Sequence, residues 1–150
     1  MSYSYDHPRP MVTVDIAVLR QGPNGPEILL IQRKNEPFQG AWAMPGGFVN
    51  EQEDLEDAAR RELQEETGLT GLPLSQLYTV GTPGRDPRGH TISIVYVAAC
   101  PGNAEVTAGD DAAAARWFAV DRLPEMAFDH ADILEHVNIR TEEDAFDESE

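Results

Sequence analysis

One stretch, residues 47–69, constrains this chain more than any other because it combines the start and stop signals of a helix with an unusual placement of charge. It reads GFVNEQEDLEDAARRELQEETGL. Residues 50–54 supply capping side chains and acids for a first turn, and Gly68 supplies a stop. The stretch therefore predicts one well-bounded helix that begins shortly after the Gly46-Gly47 pair.

Three glutamates of this helix fall on the same half as its apolar residues when 3.6 residues make one turn. They are Glu62, Glu65 and Glu66. The other half already carries Glu-Arg and Asp-Arg pairs at i,i+4 spacing, which is typical of a solvated side. Carboxylates on the inward half would repel one another and lose hydration unless a cation compensates them.

Carboxylate oxygens are hard ligands, and no cluster of His or Cys accompanies them. The pattern therefore predicts a Mg²⁺ or Mn²⁺ ion that stays partly hydrated for phosphate binding. The alternative is that these glutamates only edge the solvated face.

Composition limits what surrounds the helix. The chain has 150 residues and is 41% hydrophobic, which suits one domain, expected over residues 1–140. Cys100 is the only cysteine, so no internal disulfide forms. We see no signal peptide, and the longest apolar run, residues 94–100, is far too short for a bilayer. A soluble cytoplasmic protein is expected.

The formal net charge is −16, from 27 acids against 11 bases. This balance argues against nucleic-acid and anionic-membrane partners. Six of the acids lie in residues 141–150, which we expect to be a disordered tail. The body is still acidic, which fits either a high-salt cytoplasm or an ordinary acidic protein.

The remaining chain predicts a mixed sheet. Strands are expected over residues 11–20, 27–34, 72–80, 91–100 and 115–120, with a short strand within 35–43. Loops are expected over 81–90 and 101–111, and a second helix over 129–139. Gly46-Gly47 indicates unusual backbone dihedrals or a close approach. The class is α/β or α+β.

The central stretch also carries a known motif. Gly47, Glu53, Arg61-Glu62-Leu63, Glu65-Glu66 and Gly68-Leu69 match every defined position of the Nudix box, so the sequence resembles Nudix hydrolases. The resemblance implies an α/β/α sandwich that uses metal to cleave a nucleoside diphosphate linked to another group, by water attack on phosphorus. It puts Glu62, Glu65 and Glu66 at metal-ligand positions, with the Gly47 carbonyl as a further ligand. It also implies that Arg61 and Glu53 orient the loop and helix through a mutual ion pair.

Patterns outside the box resemble the branch that contains microbial ADP-ribose pyrophosphatases and related regulators of NAD metabolism. They lie at residues 8–10, 31–34, 39–42, 84–90 and 127–131. This likeness implies cleavage of ADP-ribose to AMP and ribose 5-phosphate. Related enzymes are often homodimers, and the aromatic N-terminal arm is a candidate for crossing between subunits.

Substrate contacts are expected from five residues. Arg33, Arg85 and Arg88 are forked cations suited to diphosphate, and Asp86 suits a ribose hydroxyl or a neighbouring arginine. The alternative is a loop pinned by Arg-Asp ion pairs. Trp42 either stacks on adenine or packs under the glycine turn.

The sequence departs from related ones at the expected general base. Those carry a glutamate shortly before the Trp-Phe pair, where this chain has Ala114. The base is therefore Asp110, Asp111, Glu105 or absent. His130 is expected to be a capping or packed histidine rather than a base.

Two other functions compete with ADP-ribose hydrolysis. The first is hydrolysis of oxidised or non-standard nucleoside triphosphates, which would share the metal site. The second is a sensor domain that binds ADP-ribose without cleaving it and controls DNA binding. The complete glutamate set opposes the sensor, as does the short sequence after Ile139, which leaves no room for a basic winged-helix module.

Overall fold

A computed structural model describes residues 3–109 and 112–137 of the chain. The elements are β1 (Met11–Gly22), β2 (Gly25–Arg33), β3 (Trp42–Ala43), β4 (Gly46–Phe48), α1 (Leu55–Thr67), β5 (Ser75–Val80), β6 (Thr91–Ala99), β7 (Ala112–Ala119) and α2 (His130–His136). Every predicted strand and helix is present. Neither described helix is long and apolar enough to cross a lipid bilayer.

The described strands form one mixed seven-stranded sheet around β1. Strand β1 pairs in parallel with β6 along Met11–Leu19 and antiparallel with β2 and β4. Because side chains alternate along a strand, Val14 and Ile16 join one core with α1, while Ala17 and Leu19 join the other with α2. The predicted α/β/α sandwich is confirmed.

Helix α1 has the predicted ends. The Asp54 side chain caps its first turn by accepting from the Glu56 N–H. Gly68 adopts the left-handed conformation at φ 78° and donates its N–H to the Gln64 carbonyl. The following carbonyls, of Glu66 and Thr67, accept from backbone N–H groups of the 101–109 loop. This loop therefore binds the end of the helix that carries the glutamates.

The glycine pair forms a strand rather than a turn. Gly46 and Gly47 belong to β4, and neither has a positive φ. The sequence predicted either unusual dihedrals or a close approach at this pair, and the structure shows the close approach, since a Cβ on Gly46 would overlap the Val14 carbonyl oxygen.

Several boundaries differ from prediction, and strand β5, for example, starts at Ser75 rather than at residue 72. Strand β7 starts at Ala112 rather than 115, because the alanine run pairs with the end of β2. Helix α2 ends at His136, and the end predicted at residue 139 lies outside the described residues. The predicted tail, residues 141–150, lies outside them too, and the single domain predicted over residues 1–140 stays a prediction.

Candidate active site

The three glutamates of α1 differ in how far they turn inward. Glu66 is 8% exposed and the Glu62 side chain is 13% exposed, whereas the Glu65 side chain is 54% exposed. The Gly46 N–H donates to Glu66 Oε1 at 2.8 Å, which fixes this carboxylate beside β4. A Cβ on Gly47 would lie 2.5 Å from Glu62 Oε2. The glycine pair thus leaves room for two carboxylates against the sheet.

Arg61 links these carboxylates to the loop before the helix. Its Nε donates to Glu53 Oε2 at 2.7 Å, so the predicted ion pair is present. Its Nη1 reaches Glu62 at 2.8 Å and Glu65 at 3.3 Å. The Arg61 hydrogen bonds, with the Asn50 N–H, lower the pKa of Glu53 to about 2. Arg61 therefore holds three acids of the motif in one network.

The chemistry of these donors fits a hard divalent cation. Within residues 3–109 and 112–137, no three His, Cys, Asp or Glu side chains converge as a ligand set, and Arg61 Nη1 donates to both Glu62 and Glu65. Carboxylates and a backbone carbonyl are nevertheless the ligands that Mg²⁺ and Mn²⁺ take. Glu65 is exposed and can change rotamer, and Gly47 has no side chain to block the approach. The residues fit the ion.

A cavity of about 70 Å³ opens beside this network. It is lined by Thr13, Asp15, Ile31, Arg33, Ala43, Met44, Gly46, Gly47, Phe48, Glu66, Arg85, Asp86, Arg88, Ser93, Phe128 and His130. Pockets that hold a whole small ligand measure about 300–1,000 Å³. This cavity therefore accommodates only part of a nucleotide.

Two of the predicted substrate arginines lie at one aromatic ring. The guanidinium carbons of Arg33 and Arg88 are each 5.0 Å from the Phe128 ring centroid. Burial lowers the pKa of Arg33, and the positive charge of Arg88 lowers it further. Two cations that repel each other beside a cavity gain free energy when an anion binds between them. This pair is suited to a diphosphate.

The other predicted contacts are held by the protein itself. The Arg85 side chain is only 5% exposed and makes a two-pronged ion pair with Asp129, at 2.8 and 2.7 Å. Asp86 is buried and accepts three hydrogen bonds from Arg88. For Arg85, Asp86 and Arg88 the structure agrees with the alternative of a loop pinned by ion pairs, although all three line the cavity.

Of the two roles predicted for Trp42, stacking on adenine or packing inside the protein, the structure shows packing. It is buried and packs edge-on against Phe118, with ring centroids 4.8 Å apart. It does not line the cavity beside the described glutamates, so its ring is not placed to stack on a ligand there.

Comparison with known proteins decides the family. The model of the NUDIX domain matches residues 9–137. This chain belongs to the Nudix family. Within it, the chain is 47% identical over 125 residues to an ADP-ribose pyrophosphatase of Methanocaldococcus jannaschii, covering 83% of this chain and 71% of that one.

A second relative of this Nudix hydrolase is a regulator. The ADPR responsive transcriptional repressor NtrR of Acinetobacter baylyi is 35% identical over 139 residues, which is 90% of this chain. The chain spans only 56% of the repressor's length.

Solved structures of Nudix proteins also have a fold similar to that of this chain. The NUDIX domain of Shewanella oneidensis NrtR complexed with ADP ribose has a TM-score of 0.80 and 32% identity, over 91% of this chain and 93% of that one. A MutT/nudix family protein from Enterococcus faecalis has a TM-score of 0.82 and 32% identity, over 95% of this chain and 66% of that one.

Of the candidate bases of this Nudix hydrolase, only Glu105 lies within the described residues. Glu105 is exposed on the 101–109 loop and does not line it. Asp110 and Asp111 lie outside the described residues. Ala114 packs at the edge of the α2-side core. The base therefore stays a prediction, with Asp110, Asp111, Glu105 and none as its alternatives.

Sequence reasoning missed one acid that lines the cavity. Asp15 is 6% exposed and lines the cavity together with His130, whose buried ring confirms the predicted packed histidine. Burial raises the pKa of Asp15 and lowers that of His130, so each favours its uncharged form. The available signal was an aspartate between Val14 and Ile16, in the middle of an apolar strand.

Proposed function

We propose that this Nudix hydrolase cleaves a nucleoside diphosphate linked to another moiety, and that its substrate is ADP-ribose, cut to AMP and ribose 5-phosphate. One observation carries the proposal: the inward-facing carboxylate of Glu66 and the cationic pair Arg33 and Arg88 line the same cavity. Carboxylates suited to a metal and guanidinium groups suited to a diphosphate thus meet at one place. The likeness to an ADP-ribose pyrophosphatase supports the choice of substrate.

The metal would be held by Glu62, Glu65 and Glu66, with the Gly47 carbonyl as a further ligand. When bound, Mg²⁺ or Mn²⁺ supplies positive charge to the diphosphate and lowers the pKa of a water.

The protein's own groups prepare the reaction around that site. Arg33 and Arg88 bind and orient the diphosphate by charge-assisted hydrogen bonds. The Gly46 N–H holds the Glu66 carboxylate in place, and Arg61 holds those of Glu62 and Glu65. Positioning of this kind is a large part of catalysis in phosphoryl transfer.

The testing experiment is a Mg²⁺-dependent hydrolysis screen with chromatographic identification of products. The substrates are ADP-ribose, sugar nucleotides, dinucleotides and nucleoside triphosphates. We expect the highest kcat/KM on ADP-ribose, with AMP and ribose 5-phosphate in equal amounts. A higher kcat/KM on an oxidised or non-standard nucleoside triphosphate would favour the nucleotide-pool alternative instead.

The sensor alternative is favoured by the likeness to the NtrR repressor and to the NrtR domain complexed with ADP ribose. Binding and hydrolysis measured on the same protein samples distinguish a sensor from a hydrolase. A sensor binds ADP-ribose in calorimetry without releasing AMP in either Mg²⁺ or Mn²⁺, whereas the hydrolase turns it over.

A further inference from the structure

Thr13, Asp15 and Ser93 line one side of the cavity, here called its floor. The parallel pairing of β1 with β6 brings these residues together. This register places Thr13 opposite Ser93, and their hydroxyl groups are hydrogen-bonded to each other. Arg85 also donates to the Ser93 hydroxyl, at 2.8 Å. Asp15, two residues along β1, adds a carboxyl group to the same floor. Three oxygen-bearing side chains therefore lie together in a buried place.

One oxygen of this floor has no partner. Asp15 Oδ2 is fully buried and accepts no hydrogen bond from any residue in the described ranges, 3–109 and 112–137. Asp15 Oδ1 instead lies 3.7 Å from His130 Nε2. The Met44 N–H donates to His130 Nδ1 at 3.1 Å, so a neutral ring carries its proton on Nε2, facing Asp15. Asp15 Oδ2 is therefore available to a ligand, and buried polar atoms without partners are rare enough to need an explanation.

The position of Asp15 relates this floor to the reaction. Asp15 pairs with Gly46 across β1 and β4, and the Gly46 N–H holds Glu66. Gly46 therefore contacts both Asp15 of the floor and the candidate catalytic carboxylate of Glu66, so the two lie next to each other. When the diphosphate reacts at Glu66, the part of the substrate that could reach the floor is the group bonded directly to the diphosphate.

The chemistry of the floor selects a sugar for that group. A phosphate would face the Asp15 carboxyl group, while the nearest guanidinium, of Arg85, is already paired with Asp129. A flat base would find the aromatic rings of Phe48 and Phe128 at the cavity but none among the floor residues Thr13, Asp15 and Ser93. Hydroxyl groups both donate and accept, so they complement a carboxyl group and two hydroxyls whichever way protons are arranged.

We propose that Asp15, with Thr13 and Ser93, forms a subsite that binds the hydroxyl groups of the sugar attached to the diphosphate. The proposal rests on the proposed function for the identity of the reaction. It names residues outside the Nudix box.

The test is equilibrium binding by calorimetry, with ribose 5-phosphate and inorganic phosphate as separate probes. We expect the wild-type protein to bind ribose 5-phosphate at least ~10-fold more tightly than phosphate, as the added hydrogen bonds between the sugar hydroxyls and the floor would give. Asp15→Asn should lose ~10-fold or more for ribose 5-phosphate and keep its affinity for phosphate. The matched control is Asp121→Asn, which removes an exposed turn carboxylate that does not line the cavity.

Two results overturn the proposal: a wild-type protein that does not prefer ribose 5-phosphate, or an Asp15→Asn variant that loses affinity for both probes equally. Thermal unfolding checks the fold, and Asp15→Asn should melt no lower than the control. Should it fail to fold, Thr13→Val keeps the β-branched shape and must weaken ribose 5-phosphate binding alone.

The binding assay needs no turnover. A protein that fails to hydrolyse ADP-ribose but shows the expected binding pattern loses the proposed function and keeps the sugar subsite. A protein that hydrolyses ADP-ribose without preferring ribose 5-phosphate keeps the function and loses the subsite.

Discussion

Single residues in this site work as glycine–glutamate pairs. Gly46 supplies a backbone N–H to Glu66, and Gly47 supplies the space that the Glu62 carboxylate occupies. In each pair the glycine lies on β4 and the glutamate on α1. The positions of these two inward-facing carboxylates are therefore set by the close packing of the helix on this strand.

Glu66→Gln tests the first pair. The amide keeps an oxygen for the Gly46 N–H, so the fold should survive, while the negative charge is lost. We expect kcat on the substrate found in the screen to fall at least ~10²-fold. The matched control is Glu56→Gln on the solvated side of α1, which loses only an exposed ion pair with Arg60. Near-normal turnover in Glu66→Gln would refute the assignment.

Gly47→Ala tests the second pair. The new methyl group would overlap the Glu62 carboxylate, which must then move. A displacement of about 1 Å in a catalytic group can cost ~10²-fold in rate, so we expect kcat/KM to fall ~10- to 100-fold with little change in melting temperature. In the control Gly102→Ala, the added Cβ would meet only ordinary contact at 3.6 Å. Equal activity of the two variants would contradict the pairing.

At the scale of elements, α1 is fastened at both ends. Its first half is tied to the preceding loop through Arg61, which contacts Glu53 and the Phe48 carbonyl. Its last carbonyls accept from Thr107 and Gly109 N–H groups. A helix held in this way presents its carboxylates from a rigid support, which favours a defined spacing.

The Glu53–Arg61 tie predicts a pH dependence of stability. The pKa of Glu53 is lowered to about 2 in the folded protein, so its stabilising contribution is present above its ordinary pKa near 4.5 and is lost as pH falls towards about 2. The difference in free energy of unfolding between wild type and Glu53→Gln should therefore be larger at about pH 6 than at about pH 3. Urea unfolding at both pH values measures it, and a difference that does not change with pH would contradict the tie.

Sequence reasoning succeeded where the determining signals are local. Helix α1 was predictable with its cap and stop because Asp54 and Gly68 act within one turn of their own positions. Strand β4 was not, since two glycines favour a strand only when β1 is there to pair with them.

Site residues also divide into those that local sequence predicts and those that depend on distant parts of the chain. The box glutamates follow from spacing, whereas the role of Arg85 depends on Asp129, which lies 44 positions away. Asp15 acquires its surroundings from Ser93 and His130, and neither is a sequence neighbour. Nothing in the order of residues shows whether an arginine is free to bind a substrate or is already used by the fold.

For the whole molecule, the dominant property is a net charge of −16. Self-repulsion of this size is relieved by salt in any acidic protein, mostly below about 1 M, where the Debye length has fallen to about 3 Å. The high-salt interpretation makes a stronger prediction: stability should keep rising in KCl from low to multimolar concentration. Urea unfolding over a KCl series checks it, and a plateau would favour an ordinary acidic protein. The expected cytoplasmic location and homodimer stay predictions.

The parallel pairing of β1 with β6 has a consequence for synthesis of the protein. Partners in this pairing are 80 positions apart, from Met11 with Thr91 to Leu19 with Ala99. A nascent chain leaving the ribosome therefore exposes one edge of its central strand, β1, until β6 has been made. Such delayed long-range pairing slows folding and leaves an unpaired edge open to other chains. Since the floor of the cavity is made by the same pairing, no shorter nascent chain can hold a complete active site.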